Sequence, residues 1–225
     1  MSLRILGIET ATRAASVAVV ADGKILAESV RESPQTFSET LMPQVEEVIK
    51  VADAFNKLDA VAVSIGPGSF TGLRIGLATA KALAYAWGIK IIGVPTLWAM
   101  AYNFPGAKVV PLIDAQKNRA YHQLFEETLP QTTLEVEPID EIITKLEGVE
   151  GEIFLCGDVL HKIKVPLPPN VRLAPPHLRM PRASSVAICA QDLGKVDNVM
   201  NLEPLYVRRS EAEELWEKRH LPCER

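Results

Sequence analysis

Apolar and polar positions follow two periods along this chain, and the switches between them mark its elements. Ile5-Leu6-Gly7-Ile8 is a short apolar run ending at the polar stretch Glu9-Thr10-Ala11-Thr12. Strands follow at Ser16–Val20 and Lys24–Val30, joined by Asp22-Gly23, a strong two-residue hairpin signal. The chain is therefore predicted to open as a three-stranded antiparallel meander. Leu41, Val45, Val48, Ile49 and Ala52 recur at helical intervals and predict a helix over Ser38–Ala54. Thr36 and Glu39 have capping-box spacing, and Pro43 sits in the early turns. A strand at Leu58–Ile65, an Ala-rich helix at Leu73–Trp87, a strand at Lys90–Val94 and a short helix at Thr96–Tyr102 complete this half.

The pattern restarts near Lys108. Val110-Pro111-Leu112-Ile113-Asp114-Ala115 echoes Ile5 to Thr10, with an acid ending an apolar strand in each copy. A second strand follows each, and Glu9-to-Ser16 spacing equals Asp114-to-Tyr121 spacing. This is a faint internal repeat, set against the plainer reading of two ordinary strand ends. A helix at Ile139–Leu146, a strand at Glu152–Cys156 and a helix at Ala183–Leu193 are expected, with irregular chain over the six prolines of Val165–Pro181. Arg208–Arg219 is densely charged and reads as a fraying helix. The whole predicts an α/β protein of two lobes, residues 1–104 and a smaller 105–225 with a charged tail, facing each other across a crevice. In such sheets ligands bind at the C-terminal strand ends.

Composition narrows the function classes. The 225 residues are 48% hydrophobic with net charge −4 and a pI of about 5.7, so no basic face for gripping nucleic acid is evident. Cys156, Cys189 and Cys223 are odd in number and lack C-x-x-C spacing, which argues against a disulfide framework or structural zinc and fits a reducing, cytoplasmic setting. No uncharged run approaches eighteen apolar residues, so no membrane role is expected. His122, His161, His177 and His220 are scattered, without H-E-x-x-H or H-x-x-x-H pairs, and no metal site is expected. No G-x-S-x-G elbow is present.

Candidate chemistry concentrates at Gly66-Pro67-Gly68-Ser69-Phe70-Thr71-Gly72, a glycine-rich turn between strand and helix. Such a turn, with a helix N-terminus behind it, offers backbone N–H groups to a phosphate. The spacing matches neither a Walker A loop, since Leu73 stands where Lys is needed, nor a dinucleotide fingerprint, since it is one residue too long. Thr10, Gly66, Gly68, Ser69, Thr71 and Gly72 are the candidate nucleotide or phosphate contacts. The plainer reading is a tight turn with Ser69 or Thr71 as N-cap. Glu9 with its hydroxyl neighbours has the chemistry to position a metal–phosphate group, but a polar turn is the favoured reading, as it is for Gly157-Asp158.

Gly72, Gly76, Ala80 and Ala84 lie one turn apart on the helix that follows, a stripe that lets another helix approach closely. Packing inside the domain is the plain reading. A subunit interface with Leu41 and Val45 is the sharper one, because the Ser38–Ala54 helix has apolar residues on more than one side.

These residues together resemble the TsaB (YeaZ) family. The resemblance rests on Ile8-Glu9-Thr10-Ala11-Thr12, Ser38-Glu39, the run Gly66 to Gly76, Asp114-Ala115 with Tyr121, and Pro204-Leu205-Tyr206-Val207-Arg208-Arg209 with Glu211-Ala212-Glu213. It implies an actin-like ATPase (ASKHA, ribonuclease H-like) fold of two lobes, with mixed sheets flanked by helices. It implies a non-catalytic scaffold that binds and activates the paralogue TsaD in making N6-threonylcarbamoyladenosine at position 37 of tRNAs reading codons that start with A. TsaD would pack on the two N-lobe helices, a second copy of this chain would replace it when absent, TsaE would bind at the junction, and tRNA would be met only indirectly. No cofactor is required, although the resemblance places ATP or ADP near the partner interface. TsaD carries an H-x-x-x-H metal motif after its fifth strand, and here Thr96 and Met100 occupy those positions, which removes the imidazole ligands. Phe37 departs from the family, many of whose members carry His there. The alternatives are an independent ASKHA-type ATPase or phosphotransferase using the interlobe cleft and, last, a metallopeptidase-like enzyme.

Overall fold

The computed structural model describes residues 3–32 and 37–207. Thr36 of the expected capping box and the charged stretch after Val207 lie outside them. The first sheet comprises β1 (Arg4–Glu9), β2 (Ala14–Ala21), β3 (Lys24–Glu32), β4 (Ala60–Gly66) and β5 (Lys90–Pro95) in the order β3-β2-β1-β4-β5. β1, β2 and β3 form the expected antiparallel meander, while β4 runs parallel to both β1 and β5. The central strands are almost wholly apolar, as strands buried on both faces must be.

Helices cover both faces. On one lie α1 (Phe37–Val51) and α2 (Phe70–Trp87), whose Leu41, Val45, Val48, Leu77, Ala80 and Ala84 form one core with Leu6, Ile8, Val61 and Val63. Pro43 is accommodated inside α1 without ending it. α2 is bounded by its own chemistry: the Ser69 hydroxyl accepts from the Gly72 N–H at its start, and left-handed Gly88 ends it. On the other face lie α3 (Thr96–Ala101) and, further along the chain, α5 (Ala183–Leu193).

The second sheet comprises β6 (Lys108–Asp114), β7 (Arg119–His122), β8 (Phe125–Glu126), β9 (Leu129–Pro130), β10 (Glu135–Pro138), β11 (Ile153–Gly157) and β12 (Val171–Leu173). Its main path runs β10-β7-β6-β11-β12, with β8 paired to β6 and β9, and α4 (Ile139–Lys145) packs on it. β12 corrects the expectation of irregular chain over Val165–Pro181. Three residues between prolines suffice to add a parallel edge strand to β11.

Not all described residues after 105 stay with the second sheet. α5 lies against Ile5, Ala60, Ala62 and Ile92 of the first, and the Ala183 N–H donates to the Ser16 hydroxyl at 2.9 Å. Contact is so close that a Cβ on Gly7 would stand 2.1 Å from the Ala183 carbonyl oxygen. The chain then runs as a strap over β5 and β4, held by Gly93 N–H to the Asp197 carboxylate (2.8 Å) and Leu205 N–H to the Ile65 carbonyl (2.6 Å). The short α3 leaves much of that apolar face uncovered, and α5 completes the cover. No helix among the described residues is long and apolar enough to cross a membrane.

Candidate functional site

Parallel pairing of β1 with β4 places their C-terminal ends together, so the Glu9–Thr12 turn and the glycine-rich turn touch. The contact engages part of the polar groups assigned to phosphate. The Ser69 N–H donates to the Ala11 carbonyl (2.7 Å), the Gly72 N–H to the Ser69 hydroxyl (3.2 Å), and the Thr10 hydroxyl to the Gly72 carbonyl (2.8 Å). Thr10 is fully buried, so it cannot reach a ligand. The glycines serve this packing: a Cβ on Gly72 would lie 2.0 Å from the Thr10 carbonyl oxygen, and one on Gly68 2.4 Å from that of Ala11. Gly66 adopts φ 113°, which L side chains rarely take, ahead of a cis bond to Pro67. Of the six proposed phosphate contacts, Ser69 and Thr71 are exposed and line the cleft, while Gly68 lines it with its backbone half-buried.

That cleft is a cavity of about 820 Å³ between the glycine turn, the β6 end and the strap. Its second wall carries Asp114, Tyr121 and Asp158. Lys162 Nζ stands 2.6 Å from the Asp114 carboxylate, and the Asp114 N–H donates to Asp158 at 3.0 Å. Burial holds the Asp158 carboxyl above its usual range. Arg74 lies over the Phe70 ring at 3.8 Å and donates through Nε to the Tyr206 hydroxyl at 3.0 Å, fixing the strap at the cleft mouth. Glu9, the counterpart of Asp114, does not face the cavity. It is fully buried, and desolvation raises its pKa to about 7 although one oxygen accepts the Ala11 N–H. The acids that line the cleft are therefore Asp114, engaged by Lys162, and Asp158, while Glu9 is sealed away from it. Thr96 and Met100 are both fully buried in the core.

The residues expected at a partner interface are also corrected. Leu41, Gly72, Gly76, Ala80 and Ala84 are buried inside this chain, where the stripe brings α2 onto the sheet and onto Thr10. Val45 alone touches a surface feature, the floor of an apolar groove beside α1 and the end of α2. Met42, Phe55 and Trp87 wall this groove, 48%, 69% and 37% exposed, with Glu46 and Lys50 at its margin. Apolar side chains gathered in this way on a surface stand out from singly scattered ones. The signal available in sequence is Met42, one position off the core stripe of α1.

Sequence spacing also misses a side-chain cluster on the second sheet. His122 pairs across strands with Glu135, and Glu137 lies two residues further along the same face. Burial holds the His122 imidazole below its usual range despite these carboxylates.

Known proteins carry the same architecture. A crystal structure described as an uncharacterized protein with similarity to peptidase YEAZ, from Pseudomonas aeruginosa, superposes with a TM-score of 0.77 at 24% identity, covering 92% of this chain and all of that one. A ROK hexokinase from Thermus thermophilus superposes at 0.52 with 13% identity, covering 86% and 100%, so the two share a fold. In sequence, the tRNA threonylcarbamoyladenosine biosynthesis protein TsaB of Bacillus subtilis is 29% identical over 95% of this chain and 98% of its own length. The family described as TsaD, tRNA N6-adenosine threonylcarbamoyltransferase, matches residues 24–151, more than half of the chain. The chain thus belongs to the TsaD family, as a member of its TsaB (YeaZ) branch.

Proposed function

We propose that this chain is the non-catalytic partner subunit that binds and activates TsaD in forming N6-threonylcarbamoyladenosine on tRNAs reading codons that start with A. The observation that carries the reading is the apolar groove on the outer side of α1 and α2, formed by side chains the fold leaves unburied. TsaD covers the groove, a second copy of this chain does so when TsaD is absent, and TsaE joins at the junction. ATP or ADP, where present, sits near that junction, tRNA is contacted through TsaD, and the complex works in the cytoplasm. The ion pair of Asp114 with Lys162, the sealed Glu9, and Thr96 and Met100 in the core support assigning catalysis to the partner.

The double variant Met42→Glu/Phe55→Glu tests this. Both side chains are exposed, so unfolding free energy should change by less than about 1 kcal/mol. Anchors at the centre of an interface are worth about 2 kcal/mol or more each, so affinity for TsaD should fall at least ~30-fold by calorimetry. Unchanged affinity would remove the groove from the interface.

The cavity itself favours one other reading, an ASKHA-type ATPase or phosphotransferase acting alone. That reading requires ATP turnover by the purified chain. A Gly68→Val variant would not report on it cleanly, since the added side chain collides with the Ala11 carbonyl whether or not ATP binds.

A further inference from the structure

We propose that His122, Glu135 and Glu137 form a zinc-class metal site on the edge of the second sheet, away from both the cleft and the groove. β7 and β10 pair antiparallel with Glu135 directly opposite His122, and Glu137 follows at the next position on that face. One donor atom from each residue lies within 4.8 Å of the others. His122 Nε2 and Glu137 Oε2 face each other at 3.5 Å, both sealed from solvent, a pairing too long to close a well-formed hydrogen bond. Buried polar atoms usually close tighter bonds than this. Ligand atoms at zinc distances of about 2.0–2.2 Å in tetrahedral geometry stand roughly 3.3–3.6 Å apart, which matches the observed separation.

The donor set selects the ion. One imidazole and two carboxylates suit zinc, whereas calcium calls for six or more oxygens. Three protein ligands leave a fourth position open. Both carboxylates are held from outside the cluster: the Thr133 hydroxyl donates to Glu135 Oε1 at 3.1 Å, and the Lys145 ammonium binds Glu137 Oε1, leaving Oε2 for the ion. Outer partners of this kind orient metal ligands. The ammonium also repels an incoming cation, and it is 61% exposed, free to swing outward. A bound ion would clip edge strand β10 to β7.

Zinc titration of the EDTA-stripped full chain by calorimetry tests the site. The expected result is one tight zinc per chain, weakened about 100-fold or more in Glu135→Gln and in His122→Gln, and tightened several-fold in Lys145→Met. Glu135 is exposed, so its variant reports on binding even where His122→Gln disturbs packing. Equal zinc affinity in wild type and Glu135→Gln would overturn the proposal, as would no tight uptake by the wild type.

Discussion

The Ala80→Glu variant is expected to lose most of its folding stability, not merely its partner. Ala80 is fully buried in the core shared by α1, α2 and the first sheet. A glutamate there adds four heavy atoms to a packed interior, a cost of about 1–3 kcal/mol. Its carboxyl must also be protonated or stay charged without a partner. A pKa driven up by roughly 4 units costs about 3 kcal/mol at neutral pH and on the order of 5 kcal/mol once the pH passes the raised value. The sum rivals the 5–15 kcal/mol that typically holds a whole domain together. Ala82 faces solvent on the same helix, and Ala82→Glu should cost less than about 0.5 kcal/mol. Urea unfolding of the two variants decides the matter. A stable, cooperatively folded Ala80→Glu protein would contradict the placement of the small-residue stripe against the sheet.

The Glu9→Gln variant should be more stable than wild type at pH 8 by on the order of 3 kcal/mol, and by little at pH 4. The sign follows from protons bound. Desolvation raises the Glu9 pKa from an ordinary 4.5 to about 7 in the folded chain. Between those values the folded state holds a proton that the unfolded state has released. Stability from this group is therefore complete below about pH 4.5 and is lost as pH rises through 7. Glutamine keeps an acceptor for the Ala11 N–H and has no charge to form. Urea unfolding of both proteins at several pH values measures the gap, and a gap independent of pH would show that Glu9 stays ionised in the fold.

What is legible in the sequence follows what is local. Ala183–Leu193 is readable to the residue because a left-handed glycine follows it and its apolar spacing is regular. Strand β1 and the Asp22-Gly23 hairpin are readable for the same reason. β12 is not, because three residues carry no usable period and only pairing with β11 makes them a strand. The glycine turn is recognisable as important, but its use is not. Only the fold shows that the glycines make room for the backbone of Thr10 and Ala11, engaging the Ser69 and Gly72 N–H groups within the turn itself. A stripe of small residues reads alike whether a sheet or another subunit lies against it, and here it is the chain's own sheet. His122 and Glu135 stand thirteen positions apart, and cross-strand register alone brings them together.

The central claim, that this chain works by supporting TsaD and does not itself perform the chemistry, is tested most directly by reconstituting tRNA modification from purified parts. TsaD and TsaE with the wild-type chain, and the threonylcarbamoyl donor, should modify tRNA. The same mixture with Met42→Glu/Phe55→Glu should fall to the level seen without the chain. Modification by this chain in the absence of TsaD would contradict the account.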